Sequence, residues 1–159
     1  MKRIYIKKGD VFCVEIDNYK KFFQYVADDI TMLNSRVIRI FQKKYPKDYN
    51  IDFDELTSDS VSFYVHTFIR VGILEKYWFK VGNSKNIGDC DNIMFRDFPG
   101  GGGLIKKSTE WSIWKINHPY TKIGCLTDET KKYDFGPIIP PLYVCNKIKT
   151  GDFGFPLPD

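Results

Sequence analysis

The chain has 159 residues and a net charge of +4, from 24 basic and 20 acidic residues. This length suits one domain, and the charge excess is too small for a dedicated nucleic-acid-binding protein. Aromatic residues make up 16% of the chain, which favours a mainly β fold. The chain lacks the apolar core of a signal peptide and any long apolar run, so we expect a cytoplasmic protein without membrane contact.

The first predicted element is a strand in the stretch VFCVEI, which begins at residue 11. Its side chains alternate, with Phe12, Val14 and Ile16 on one face, as in a half-buried strand. Gly9 and Asp10 precede it. Glycine permits a positive φ and aspartate hydrogen-bonds its own backbone, so this pair predicts a turn into a sheet rather than a binding loop.

A second strand, YKKFFQYVADD from residue 19, is predicted to pair with the first through a turn at Asp17-Asn18. The stretch SRVIRIFQKKY from residue 35 fits a helical stripe or a strand, and its β-branched residues favour the strand. The following polar, acidic connection is predicted to lie on the surface. Its carboxylates predict a solvated loop first and a protein-binding patch second: Asp52, Asp54, Glu55 and Asp59.

Residues 61–72 and 73–83 carry the strongest strand signals, and we predict two core strands there. The predicted core takes its apolar side chains from these strands and from the first one: Phe12, Val14, Ile16, Phe63, Val65, Trp78 and Val81.

The sequence of the C-terminal half predicts three short strands and a flexible glycine loop at Gly100–Gly103, and it ends in a proline-rich tail from Phe135. Proline cannot donate ladder hydrogen bonds, so the tail is expected to wrap in an extended form. Trp111 and Trp114 fall on opposite faces of one of these strands. An exposed tryptophan there would suit a partner-binding anchor.

No motif predicts a catalytic site, a cofactor or a metal ion. The four cysteines are isolated and only two histidines accompany them. Their spacing therefore does not predict a zinc site, and the thiols are expected to be free. The glycine loop lacks the spacing of a phosphate-binding loop. His66 lies in an apolar strand and is predicted to be structural. The sequence is also compatible with a small enzyme whose pocket is built around His66 or Cys13.

Four stretches in this order resemble the immunity protein 26 family of bacterial polymorphic toxin systems: KKGDVFCVEID, KKFFQYVADD, RVIRIF and YWFKVGN. The family's Gly-Asp-x-Phe entry to the first strand matches Gly9, Asp10 and Phe12. Its later tryptophan before Val/Ile-Gly matches Trp78, Val81 and Gly82. The second strand departs from the pattern, because FFQYVADD lacks the expected Tyr-Gly pair. The resemblance covers roughly the first 85 residues.

This resemblance implies a non-enzymatic cytoplasmic protein that neutralises a cognate toxin by binding it, for instance a basic nuclease toxin that contacts the acidic segment. In that case the motif residues would hold the fold. The alternative is a small SH3-like RNA-binding module. Its basic, aromatic first third would neutralise phosphates and stack bases, through Lys2, Arg3, Lys7, Lys8, Lys20, Lys21, Phe22 and Phe23.

We therefore predict a single mainly β domain, built as a strongly bent antiparallel sheet or an SH3-like partial barrel. Residues 1–85 would form its β-rich core. Residues 86–159 would add strands, the glycine loop and the proline-rich tail around that core.

Overall fold

The computed structural model describes residues 3–100 and 105–159, which form two β-sheets and three short α-helices. In chain order the elements are β1 (Asp10–Ile16), β2 (Tyr19–Asp29), β3 (Ser35–Phe41), β4 (Tyr45–Pro46), α1 (Phe53–Thr57), β5 (Val61–Thr67), α2 (Ile69–Leu74), β6 (Phe79–Asn83), β7 (Met94–Asp97), β8 (Trp111–Lys115), β9 (Thr121–Gly124), β10 (Asp134–Phe135), β11 (Ile138–Ile139) and α3 (Pro141–Thr150). Single 3-10 turns occur at Ile30–Met32 and Thr130–Lys132.

The larger sheet has the strand order β11-β5-β3-β2-β1-β6, with the short β4 also paired to β2. Ile16 pairs with Tyr19, so Asp17-Asn18 forms the predicted hairpin turn. β3 is extended, which confirms the strand interpretation of that ambiguous stretch. Register shifts interrupt the pairing of β1 with β6, of β2 with β3 and of β3 with β5. Such bulges bend a sheet locally.

The smaller sheet has the order β10-β7-β8-β9 and contains the three short strands predicted in the C-terminal half. Neither sheet closes into a barrel within the described residues. The mainly β prediction is therefore confirmed, and its bent-sheet form describes the structure.

Both faces of the larger sheet are covered. On one face a core around Phe12, Phe23 and Trp78 packs against α2 and α3. On the other face Val11, Cys13 and Phe22 pack with Leu56 of α1, and a third cluster joins the sheet to the smaller one. The prediction that β1 is half-buried was wrong, because both of its faces are buried.

The predicted core residues are buried with one exception. Phe12, Val14, Ile16, Phe63, Val65 and Trp78 lie in the first core. Val81 is only partly buried and packs on the opposite face, against the cluster that contains Leu56.

The prediction of two adjoining strands at residues 61–83 was wrong at its centre, where α2 intervenes. Ile69, Gly72 and Ile73 share the i, i+3, i+4 spacing of a helical face, and this face packs into the core. Residues that favour a strand locally therefore form a short helix here, because the helical face packs into the core.

The proline-rich tail and the acidic connection also contain helices that the sequence did not predict. Pro141 opens α3 at a position where its missing N–H costs nothing, and Gly151 ends it with φ +84°. The acidic connection folds into α1, whose Leu56 is fully buried. The flexible-loop prediction at Gly100–Gly103 falls largely on residues outside the described ranges. No helix in residues 3–100 or 105–159 is long and apolar enough to span a bilayer.

Candidate functional site

The Gly9-Asp10 turn clamps β1 to β6. Gly9 has φ +91°, and a Cβ there would lie 2.5 Å from the Ser84 carbonyl oxygen, so only glycine fits. The Asp10 carboxylate is fully buried and accepts hydrogen bonds from the Lys7 backbone (2.8 Å) and the Asn83 amide (2.9 Å). Lys80 Nζ lies 3.1 Å from it. The turn therefore serves the fold, as its chemistry predicted.

A buried polar network supports the same turn from beneath. Gln24 Nε2 donates to the carbonyls of Gly9 (3.1 Å) and Ser84 (3.0 Å). Arg39 donates through Nη2 to Gln24 Oε1 (2.7 Å) and to the Asn86 carbonyl (2.8 Å). Neither side chain was predicted to be buried, because a Gln and an Arg in strands normally indicate a solvated face. The bent sheet instead folds the 84–88 segment over them.

The other motif residues also have packing roles. The Trp78 indole is 2% exposed, donates to the Ile69 carbonyl at 2.9 Å and meets Phe23 edge-on at 5.0 Å. A Cβ at Gly82 would lie 2.3 Å from Phe53 Cζ, so glycine lets α1 approach the sheet. These contacts support the expectation that the motif holds the fold.

Three of the four carboxylates in the acidic segment form local structural contacts, although the sequence predicted a solvated loop. Asp52 caps α1 by accepting from the backbones of Asp54 and Glu55. Glu55 lies 2.9 Å from Lys43 Nζ, and Asp59 accepts from the Lys43 backbone at 2.7 Å. Asp54 is the one carboxylate of the segment that makes no side-chain hydrogen bond among the described residues.

Trp111 and Trp114 cannot act as exposed anchors. They are 0% and 2% exposed, because the two faces of β8 both meet covering layers. Trp111 packs against Phe98, with ring centroids 4.9 Å apart, and Trp114 packs between Phe95 and Tyr120. Both side chains are buried, so neither is the exposed anchor that the partner-binding hypothesis requires.

The RNA-binding alternative loses its stacking platform. Phe22 and Phe23 are 1% and 0% exposed, and Lys21 is also buried, because β2 lies inside the larger sheet with both faces covered. Base stacking requires an accessible aromatic face. The basic, aromatic first third is therefore not the surface that this alternative requires.

A buried carboxylate joins the two sheets. Asp29 Oδ2 accepts from His66 Nε2 at 2.8 Å and from Trp114 Nε1 at 2.9 Å. Its Oδ1 accepts from the backbone of Asn117 (2.9 Å) and of Thr31 (3.2 Å). Burial acts to raise the pKa of this carboxyl, but the hydrogen bonds from His66 and Trp114 hold it below its usual value.

His66 is structural in this arrangement, as predicted. Its side chain is 0% exposed and packs on Phe95 with centroids 4.3 Å apart. The carboxylate at Nε2 favours a proton on that nitrogen, and Nδ1 is buried without a hydrogen-bond partner among residues 3–100 and 105–159. The pair links β2 to β5, and the Trp114 hydrogen bond to the same carboxylate adds β8.

The thiols offer little nucleophilic chemistry. Burial raises the pKa of Cys13 and of Cys145 to about 11, so both are protonated at neutral pH. All four cysteines are free. Within residues 3–100 and 105–159, no group of three metal-ligating side chains comes together.

Asp134 gives the fold a pH dependence that can be measured. Burial raises the pKa of its carboxyl to about 6, although the Tyr64 backbone donates to it at 2.9 Å. The folded state therefore holds a proton that the unfolded state releases, so this group's contribution to stability falls as the pH rises through about 6.

We expect Asp134→Asn to increase the free energy of unfolding at pH 7.5 by about 1 to 2 kcal/mol and to increase it by much less at pH 4.5, where the folded state keeps the carboxyl protonated. Urea unfolding at both pH values measures the effect. Asp48→Asn, at an exposed position, is the control. An equal effect of Asp134→Asn at both pH values would contradict the raised pKa of this carboxyl in the folded state.

Comparison with known proteins gives one match. A family model described as immunity protein 26 matches residues 7–99, which is more than half of the chain. The match includes the Gly9-Asp10 turn, the buried network beneath it and the Trp78–Gly82 segment. Searches of curated proteins and of solved structures find no significant match.

Proposed function

We propose, from the fact that this chain belongs to the immunity protein 26 family, that it neutralises a cognate toxin of a bacterial polymorphic toxin system by binding it in the cytoplasm. The observation that carries the proposal is the family match over residues 7–99. Its motif residues build the larger sheet, which leaves the exposed loops and edges to make the contacts with the toxin.

The chemistry of the described residues is compatible with binding rather than catalysis. The Asp29–His66 pair is sealed from solvent, and the buried thiols are protonated. Protein recognition needs a stable scaffold and an exposed surface of mixed apolar and polar character. The first requirement is met by the larger sheet, whose two faces are covered. For the second, the exposed surfaces outside the motif are available.

A pull-down from the native bacterial lysate, with and without added nuclease, tests this proposal. We expect a nuclease-resistant protein partner that carries a toxin domain. Expression of that domain alone should arrest growth, and co-expression of this chain should restore it. Recovery of RNA that dissociates at high salt, or a captured domain whose toxicity this chain does not relieve, would contradict the immunity function.

We also propose that the acidic segment forms part of the surface that contacts the toxin. Charge reversal of Asp52 or Glu55 would also disturb α1, because both side chains have structural contacts. Asp54→Lys isolates the question, since Asp54 is exposed and free of such contacts. A loss of toxin affinity in this variant would support the acidic segment, and unchanged affinity would remove it.

A further inference from the structure

A groove beside the larger sheet combines exposed apolar side chains with arginines. It has a volume of about 720 Å³ and lies between the N-terminal segment, the turn before β3 and the start of α2. We call it the arginine groove and define it by six of its lining residues: Arg3, Tyr5, Leu33, Arg36, Phe68 and Arg70.

The apolar side chains of the arginine groove are unusually exposed. Leu33 is 84% exposed, Tyr5 67% and Phe68 51%, and Val71 adds a further exposed apolar residue at the groove. Single exposed apolar residues are common on protein surfaces, but several around one concave site are typical of an interaction surface. The groove therefore has the apolar component of a binding site.

The backbone that presents Leu33 is strained. Leu33 and Asn34 both have φ +55°, a left-handed conformation that leucine rarely adopts. The turn is nevertheless held firmly, because buried Asp29 accepts from the Thr31 backbone and Ser35 Oγ donates to the Met32 carbonyl. Strain that keeps an apolar side chain in water at a rigid turn points to a role in recognition.

The charge of the arginine groove is of one sign. Three arginines line it and, among the described residues, no carboxylate does. Within the described part of the chain, none of these guanidinium groups forms an ion pair. Arg3 and Arg36 lie instead over tyrosine rings, at 5.1 and 5.3 Å from the centroids of Tyr5 and Tyr25. The groove is therefore complementary to an acidic partner.

We propose that the arginine groove receives an acidic segment of the toxin that also carries apolar side chains. This inference rests on the proposed function and specifies the toxin surface that is recognised. A protein segment matches the groove better than RNA, because Leu33, Val71 and Ile138 offer aliphatic surface that neither a phosphate nor a base uses. The held turn also reduces the ordering that binding requires.

The test measures the affinity of full-length variants for the toxin domain captured by the wild-type chain. Leu33→Asp removes the most exposed apolar side chain of the groove, and Arg3→Glu with Arg70→Glu reverses two groove charges. All three residues are exposed, so the variants should fold. We expect each variant to weaken binding at least about tenfold. The double variant should also slow association and reduce its dependence on salt.

Matched controls separate the groove from general effects of charge and hydrophobicity. Lys131→Glu with Lys132→Glu makes the same change of net charge at exposed positions outside the groove, and Leu142→Asp makes the same apolar-to-acidic change in α3. Both should bind as the wild type does.

Three other outcomes would contradict the proposal that the groove binds an acidic segment of the toxin. Affinity retained by both groove variants, with growth still protected, would leave the immunity function standing and refute only this site. A failure of the wild-type chain to bind or protect against any toxin would refute the proposed function itself. Loss of an RNA, or of a dimer seen by sedimentation, in Leu33→Asp would show that the groove has a different occupant.

Discussion

Replacing Asp29 by alanine is expected to lower the free energy of unfolding by about 4 kcal/mol, because it removes a fully buried carboxylate that four donors share. The wild-type carboxylate accepts hydrogen bonds from His66, Trp114 and two backbone amides. Alanine leaves the buried donors of His66 and Trp114 without an acceptor and opens a small cavity where the two sheets meet. The loss should therefore affect the junction of the sheets as well as the overall stability.

Chemical unfolding followed by tryptophan fluorescence measures this effect, since Trp114 is itself one of the donors. Asp29→Asn keeps the shape of the side chain and removes its charge. The asparagine amide has one oxygen and cannot accept the hydrogen bonds made by both carboxylate oxygens, so this variant should be less stable than the wild type and more stable than Asp29→Ala. Asp48→Ala, at an exposed position, should change the stability by less than about 0.5 kcal/mol. An Asp29→Ala variant as stable as this control would contradict the bridging role.

The pH dependence gives a second readout of the same carboxylate. Its pKa is lower in the folded state than in the unfolded state. Its contribution to stability is therefore present above the ordinary carboxyl pKa and is lost as the pH falls through the folded value. The difference in stability between the wild type and Asp29→Ala should consequently shrink below about pH 4.

Local pattern was sufficient to predict most of the larger sheet. Alternating side chains and the Asp17-Asn18 turn specify the β1–β2 hairpin, and β-branched residues specify β3. The turn role of Gly9-Asp10 also followed from local chemistry. These features depend on neighbours in sequence, so they are visible without the tertiary fold.

The missed features depend on contacts between distant segments. Asp29 is adjacent to Asp28 in the sequence, and nothing local distinguishes them, yet only Asp29 meets His66 and Trp114. The arginine groove likewise assembles residues from three separate segments. α2 was missed because its apolar residues fit a strand until their packing against Trp78 is known. In each case tertiary contacts, rather than local propensity, decided the outcome.

Gly72 and Trp78 are expected to be strongly coupled. A Cβ at residue 72 would lie 2.1 Å from Cε2 and Cζ2 of the Trp78 indole, which the surrounding core prevents from moving. Gly72→Ala should therefore lower the free energy of unfolding by about 3 kcal/mol, through overpacking. Trp78→Phe should also destabilise the fold, because it leaves a cavity and removes the hydrogen bond to Ile69.

The double variant decides whether this overlap is the cause. Phenylalanine vacates part of the indole volume, so a methyl group at residue 72 should fit there. In a Trp78→Phe background, Gly72→Ala should then cost less than about 1 kcal/mol, or even stabilise α2, because alanine is the better helix former. Urea unfolding of the wild type, both single variants and the double variant completes the cycle. If Gly72→Ala cost the same in both backgrounds, the effect would arise from the backbone of α2 rather than from contact with the indole.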